Sequence, residues 1–317
     1  MSGTGTRRAF REAIEDALAL LEAPARPPRV AAGEAVSLPS LLDQCQAMIR
    51  EAAAQDPAPL RSLHHLACSG GTLIARCIAA LPNVRLLSEV EPLSEMPLET
   101  RRFFPNDLIN LARQGSRPPG QEVLAGVFLG GLRALHEDSR RHGLHLVLRD
   151  HAHSLFTYGP EIAPRPTLRE LLAREHGLRS VVTVRHPLDC YLALQANHWI
   201  KFSPPTLEEY CRRSLAFLDR HAELERLRYE DFVAEPQAAM QHLCAVLELP
   251  YDPAFLHLFA GVRLSGDSGR QGALIRPRGR RSCPEAVREQ ALTSAAYVRL
   301  CTVLGYDPAP DALEPGA

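Results

Sequence analysis

From residue 62 onward, short apolar runs alternate with longer stretches whose apolar residues recur every three or four positions. That alternation predicts strands joined by helices, the pattern of a parallel α/β sheet flanked by helices in three layers. Leu63–Ala67, Val84–Ser88, Leu144–Arg149, Ser180–Arg185 and Leu224–Tyr229 are read as strands. Helices are expected near 72–81, 105–114, 121–141, 167–176, 188–199, 206–220, 236–248, 253–260, 284–292 and 293–304. Thr206 followed by Glu209 matches a capping box, with Leu207, Tyr210, Cys211, Ser214, Leu215 and Leu218 on one face behind it. Upstream, 7–22 reads as an amphipathic helix and Pro24–Pro28 as a break. A second helix follows, capped by Ser37, with Pro39 in its first turn and Leu41, Leu42, Cys45, Met48, Ile49 and Ala52 on one face. The expected organisation is a helical N-terminal appendage over 1–60, an α/β domain over 61–310 and a flexible tail over 311–317. The appendage is read as a packing or dimerisation arm, which keeps a homodimer among the expectations.

Composition narrows the class. The chain has 317 residues, 45% apolar and 23% charged, with net charge -1, so nothing pulls it as a whole toward nucleic acid or a membrane surface. No run approaches the roughly 18–20 apolar residues of a membrane span. The early apolar run from Ala13 to Leu21 is broken by Glu15 and Asp16, which argues against a signal peptide. Eight cysteines form no C-x-x-C pair and no Cys/His ligand spacing, so no metal is expected, and the thiols are read as reduced and cytoplasmic. Lys201 is the only lysine, so a step that needs an ammonium uses it or does without.

The stretch Leu63–Arg76 carries the chemistry. Cys68, Ser69, Gly70, Gly71 and Thr72 form a small-residue loop between a strand and a helix start. Their backbone N–H groups can crowd an anion, Thr72 adds a hydroxyl, and the helix dipole points its positive end there. The loop lacks the lysine of G-x-x-x-x-G-K-[ST], which disfavours an ATP-binding form. A plain turn, with glycine relieving strain, explains this stretch alone equally well. In an open parallel sheet, ligands sit beyond the carboxyl ends of the strands. Those ends supply the loop just described, then Ser88, Glu89 and Glu91, then Arg149, Asp150, His151 and His153. After them come Arg185-His186-Pro187-Leu188-Asp189, then Tyr229-Glu230-Asp231, and a late loop Gly266–Arg270.

In this order the motifs resemble the PAPS-dependent sulfotransferases, which bind 3'-phosphoadenosine-5'-phosphosulfate on a P-loop NTPase-like fold. The resemblance covers residues 60 to 282. It implies that Cys68, Ser69, Gly70, Gly71, Thr72 and Leu73 surround the 5'-phosphosulfate, and that Arg185, in an Arg-x-Pro-x-Asp motif, holds the 3'-phosphate. It places Tyr229 near the adenine, and Gly269 and Arg270 in the loop closing over the 3'-phosphate. Arg149-Asp150-His151 is similar to the family's Lys-Thr-His step, which makes His151 the first choice for the base. Glu89 is the second, since other branches use a glutamate after the second strand. Two positions depart from the family: Cys68 replaces the usual Lys or Arg before the loop serine, and Ala193 replaces a phosphate-binding serine. Arg149 is the expected substitute cation, with His65 contributing if protonated. His64 and His153 are expected to be structural. Arg276, Arg278, Arg280 and Arg281 read equally as a solvated run or a basic lining. The implied activity is sulfuryl transfer from PAPS to a hydroxyl or amine of a small-molecule or glycan acceptor. A non-catalytic PAPS- or PAP-binding protein is the alternative, with a P-loop kinase behind it. The acceptor pocket is expected from 89–120, 151–160 and 195–210, with His198, Trp199 and Phe202 either in it or in the core.

Overall fold

Strand β1 (Leu60–His64) is buried along its whole length, although Arg61, Ser62 and His64 are polar. The burial is tolerated because each polar group has partners. Arg61 donates to the carbonyls of Leu247 at 2.8 Å, Pro59 at 2.9 Å and Glu248 at 3.0 Å. Ser62 Oγ lies 2.9 Å from His64 Nε2 and 2.7 Å from Ser180 Oγ. The strand therefore runs three residues ahead of the expected Leu63–Ala67. Apolar pattern alone placed it on the run that follows Arg61 and Ser62. The structure, a computed structural model, describes residues 40–45, 47, 58–96, 106–266, 274–277 and 279–310. The expected helix at 7–22, its break, Ser37 and the tail 311–317 lie outside them.

The remaining elements follow in chain order. They are α1 (Gly71–Ala79), β2 (Val84–Val90), α2 (Leu108–Arg113), α3 (Gln121–Arg141), β3 (His145–Asp150), α4 (His153–Phe156) and β4 (Tyr158–Gly159). Then come α5 (Leu168–Leu172), β5 (Leu178–Val184), α6 (Pro187–Ala196), β6 (Lys201–Phe202), α7 (Leu207–Asp219) and β7 (Glu225–Arg228). The chain closes with α8 (Tyr229–Ala234), α9 (Pro236–Leu247), α10 (Phe255–Leu258), a 3-10 turn at Phe259–Gly261, α11 (Glu285–Thr293) and α12 (Ala295–Leu304). Five strands form one sheet in the order β2-β3-β1-β5-β7, every pair parallel. β4 and β6 form a separate short pair. This is the expected parallel α/β sheet with helices on both faces.

The central strand β1 is where the order reverses: the chain fills one side through β2 and β3, then the other through β5 and β7. Such a switch opens a crevice at the carboxyl end of the central strands. Alternation along each strand sends neighbouring side chains to opposite faces. Leu63, Val147 and Val181 pack with Ile74 and Ile78 of α1 and with Met240 and Leu243 of α9. Leu60, Leu146 and Leu148 pack on the other face against Leu129 of α3 and Leu168 and Leu172 of α5. Ile74 and Ile78 are fully buried, which is worth about 1.5–3 kcal/mol each and pins the start of α1 under the β1 loop.

The chain divides into two units, 1–52 and 53–317. In the first, Ser40 Oγ accepts from the Asp43 amide at 3.1 Å and the Ser40 amide donates to Asp43 Oδ2 at 3.2 Å, a reciprocal cap on the helical turn 41–45. In the second, Thr206 accepts from the Glu209 amide, but the Glu209 carboxylate turns to Arg212 and Arg213, so only half of the expected capping box forms. The complete box belongs to Thr167 and Glu170 at α5.

Candidate active site

A cavity of about 360 Å³ opens at the switch point. Its floor is the β1–α1 loop. Cys68 and Gly70 take left-handed backbone angles, φ 66° and 86°, which wrap the loop before α1 begins at Gly71. No acidic residue occupies the first turn of α1, so its positive end faces the cavity uncompensated. The loop is tight. A Cβ on Gly70 would lie 2.1 Å from the Tyr229 ring, and one on Gly71 would lie 2.4 Å from the His65 ring. Cys68, Gly70, Gly71, Thr72 and Leu73 all line the cavity, whereas Ser69 is buried beside it with its hydroxyl donating to the Leu66 carbonyl.

Arg149 stands over this loop. Its Nη2 donates to Thr72 Oγ1 at 2.8 Å, its Nη1 to Ser88 Oγ at 2.8 Å, and Nη1 lies 2.7 Å from Glu89 Oε1. Its Nε donates to His65 Nε2 at 2.9 Å. That bond decides the tautomer of His65. Nδ1 carries the hydrogen and donates to the Leu66 carbonyl at 3.0 Å, leaving Nε2 as the acceptor. Burial, then the Arg149 charge, push this histidine down to about 3. The protonation on which a positive contribution from His65 depended is therefore disfavoured, and its neutral ring accepts from Arg149.

The opposite wall comes from β2 and β3. A register shift between Leu87 and Val90 marks a bulge in β2, and Glu89 within it has φ 61°. Bulges re-aim side chains beside active sites, and this one turns Ser88 and Glu89 toward Arg149. Glu89 Oε2 lies 3.3 Å from His151 Nε2. Burial pushes the Glu89 carboxyl up to about 7, with Arg149 opposing, and pushes His151 down to about 4. Gly266 closes over Glu89, leaving no room for a side chain there, and Ser88 and Ser265 exchange hydroxyl-to-carbonyl bonds of 2.8 and 2.9 Å.

Arg185 lies over the Tyr229 ring, 4.8 Å from its centroid, and the same ring abuts Gly70 of the loop. Both line the cavity, and the buried Nε of Arg185 has no hydrogen-bond partner. His186 accepts from the Leu188 amide at the start of α6, and the Arg281 amide donates to Asp189 Oδ1 at 3.3 Å. Arg276 lines the cavity, while Arg280 turns to His186 and the Ala309 carbonyl. Gly269, Arg270 and Arg278 lie outside the described residues.

Residues far apart in the chain thus share one cavity: the β1–α1 loop, Glu89, Arg149, His151, Arg185 and Tyr229. No protein-family model matches the chain, and no curated protein matches it. The solved sulfotransferase domain from the Synechococcus PCC 7002 olefin synthase superposes with a TM-score of 0.50 at 16% identity, covering 80% of this chain and 96% of that one. The chain has a sulfotransferase fold. At that identity what is shared is the path of the backbone. The sulfotransferase domain from the curacin biosynthetic pathway aligns at 0.48 and 15% identity, over 80% of this chain and 99% of that one. Sulfotransferase STF9 from Mycobacterium avium aligns at 0.38 and 12%, over 83% of this chain and 82% of that one.

On this sulfotransferase fold, two cavity residues were not singled out in the sequence. Leu274 and Ile275 had no motif to announce them, whereas Met96, Thr157 and Lys201 fall within the stretches expected to supply the acceptor pocket, Lys201 also being the sole lysine. His153, expected to be structural, lines the cavity, whereas His64 is buried with Asp150, Nδ1 to Oδ2 2.6 Å. Trp199 lines the cavity, Phe202 belongs to the core, and His198 is exposed outside it. The segment carrying His153 and Thr157 is anchored by Arg213, which is fully buried. It pairs with Glu209 at 2.5 Å and donates to the carbonyls of Phe156, Tyr158, Gly159 and Pro160.

Proposed function

We propose that the protein transfers a sulfuryl group from PAPS to a hydroxyl or amine of a small-molecule or glycan acceptor by in-line displacement. One observation carries this reading. The cavity brings together an uncompensated amide loop and Arg185, whose buried Nε lacks a partner. A nucleotide with phosphate groups at both ends satisfies both. An arginine is the better grip for the 3'-phosphate because its planar fork matches phosphate oxygens.

In this reading the acceptor oxygen attacks sulfur, the sulfur–oxygen bond to the 5'-phosphate breaks, and PAP leaves with the electron pair. Cys68 supplies no cation, so Arg149 and the loop amides meet the charge growing on the leaving oxygen. Four neighbours on three elements hold Arg149 still, so little reorganisation is needed as charge develops. The proton goes to the Glu89–His151 pair. Glu89 titrates close to neutral pH, where a general base combines a populated basic form with useful strength. His151, pushed down to about 4, stays neutral and orients Glu89 Oε2 or relays its proton.

The test is calorimetry of the full chain with PAP, followed by mass spectrometry of a metabolite pool incubated with PAPS. Micromolar PAP binding and a product heavier by one sulfuryl group are expected. Tight PAP binding without any sulfated product would favour a nucleotide-binding role, and indifference to millimolar PAP would end the reading.

A further inference from the structure

Two groups among the described residues bring three metal-capable atoms within 4.8 Å of one another: His64, Asp150 and His221, and Glu89, His151 and His153. Ligands at roughly 2.0–2.1 Å from a tetrahedral ion sit roughly 3.3–3.4 Å from each other. The first group fails this measure. His64 Nδ1 and Asp150 Oδ2 are 2.6 Å apart, the spacing of a shared proton, and all three residues are sealed from solvent.

In the second group the Glu89–His151 pair meets it, and a His153 ring nitrogen lies within 4.8 Å of both. Glu89 Oε2 and His151 Nε2 are 3.3 Å apart. The His153 ring lies against that of His151, centroids 3.8 Å apart, and its Nδ1 is buried without a hydrogen-bond partner. All three residues line the cavity, so a bound ion keeps room for water or an acceptor oxygen at its fourth position. Two imidazoles and one carboxylate suit a zinc-class ion, whereas magnesium and calcium prefer all-oxygen sets. Arg149 is tied to the other Glu89 oxygen, Oε1, which leaves Oε2 for the ion. Its positive charge opposes a dication, and an anion held on the β1–α1 loop offsets it.

We propose that Glu89, His151 and His153 form a binding site for a zinc-class divalent ion, and that an ion there blocks proton transfer. The binding half rests on this geometry alone. The blocking half rests on the proposed transfer reaction, because the ion occupies the atoms that would take the acceptor's proton.

The experiment titrates the metal-free full chain with cobalt(II), then displaces it with zinc. One ion per chain is expected, with the visible band of a four-coordinate ion. His153→Gln and His151→Gln should each weaken binding by more than the roughly 100-fold lost with an outer-shell partner. Cys68→Ser should leave it intact. Melting curves check each variant's fold, and Glu89→Gln replaces any histidine variant that does not fold. The site is refuted by no cobalt band at millimolar ion, by a band unchanged in folded variants of the three residues, or by thiolate charge transfer that vanishes in Cys68→Ser. Calorimetry with PAP on the same samples separates the readings: cobalt binding without PAP binding sinks the nucleotide and keeps the metal site, and the converse sinks the metal site. Zinc at saturation should stop sulfuryl transfer and a chelator should restore it; transfer that persists with zinc bound overturns the blocking half.

Discussion

The pH dependence of transfer gives the sharpest test of the Glu89 assignment. Burial raises the Glu89 carboxyl from 4.5 to about 7, which amounts to roughly 3 kcal/mol against the ionised form at this wall of the cavity. The basic form is the ionised one, so its population grows as pH rises through 7. If Glu89 takes the proton, kcat/KM should fall about tenfold per unit below that point, reaching about 100-fold lower at pH 5. If His151 takes it, the group is pushed down to about 4, and kcat/KM at pH 5 should stay within about 10% of its plateau. The assay is mass-spectrometric counting of sulfated product at limiting acceptor, with PAP affinity measured by calorimetry over the same pH range. That second measurement separates proton transfer from titration of the nucleotide. Glu89→Gln should abolish the limb near 7 together with most of the rate. A flat profile from pH 5 to 7, with transfer surviving in Glu89→Gln, would refute both the base and the burial argument behind it.

Three further outcomes are expected. Gly70→Ala forces a left-handed residue to carry a Cβ against the Tyr229 ring, costing about 1–2 kcal/mol for the backbone and about 1–3 kcal/mol for overpacking; an unshifted urea midpoint contradicts the loop geometry. Arg185→Ala should weaken PAP binding by about 1.5–3 kcal/mol, the range of a charged hydrogen bond, and unchanged affinity in calorimetry removes Arg185 from the nucleotide site. Arg213→Met strips the Glu209 pair and leaves four carbonyls, that of Phe156 buried, without their donor, so denaturant unfolding should show a loss of about 3–5 kcal/mol; a loss under 1 kcal/mol would mean that the segment after His151 is held by something else.

Much of the architecture was readable before any coordinates, because apolar period is a local signal. The helix expected near 121–141 forms over Gln121–Arg141, since its apolar pattern is long. The parallel α/β class followed from the alternation of runs. The small-residue loop and the residues beyond each strand could be named because an open parallel sheet puts its ligands there. What the chain could not reveal by itself were pairings between distant polar groups. The start of β1 was misplaced because Arg61 and Ser62 look unfit for a central strand until the carbonyl of Leu247 in α9 and the side chain of Ser180 are beside them. The neutrality of His65 comes first from burial and then from the charge of Arg149 on another strand. Glu89 gains its raised titration from burial and its aim from a bulge, features with no period in the sequence. Charge state and direction are set by neighbours in space, and only folding decides which neighbours those are.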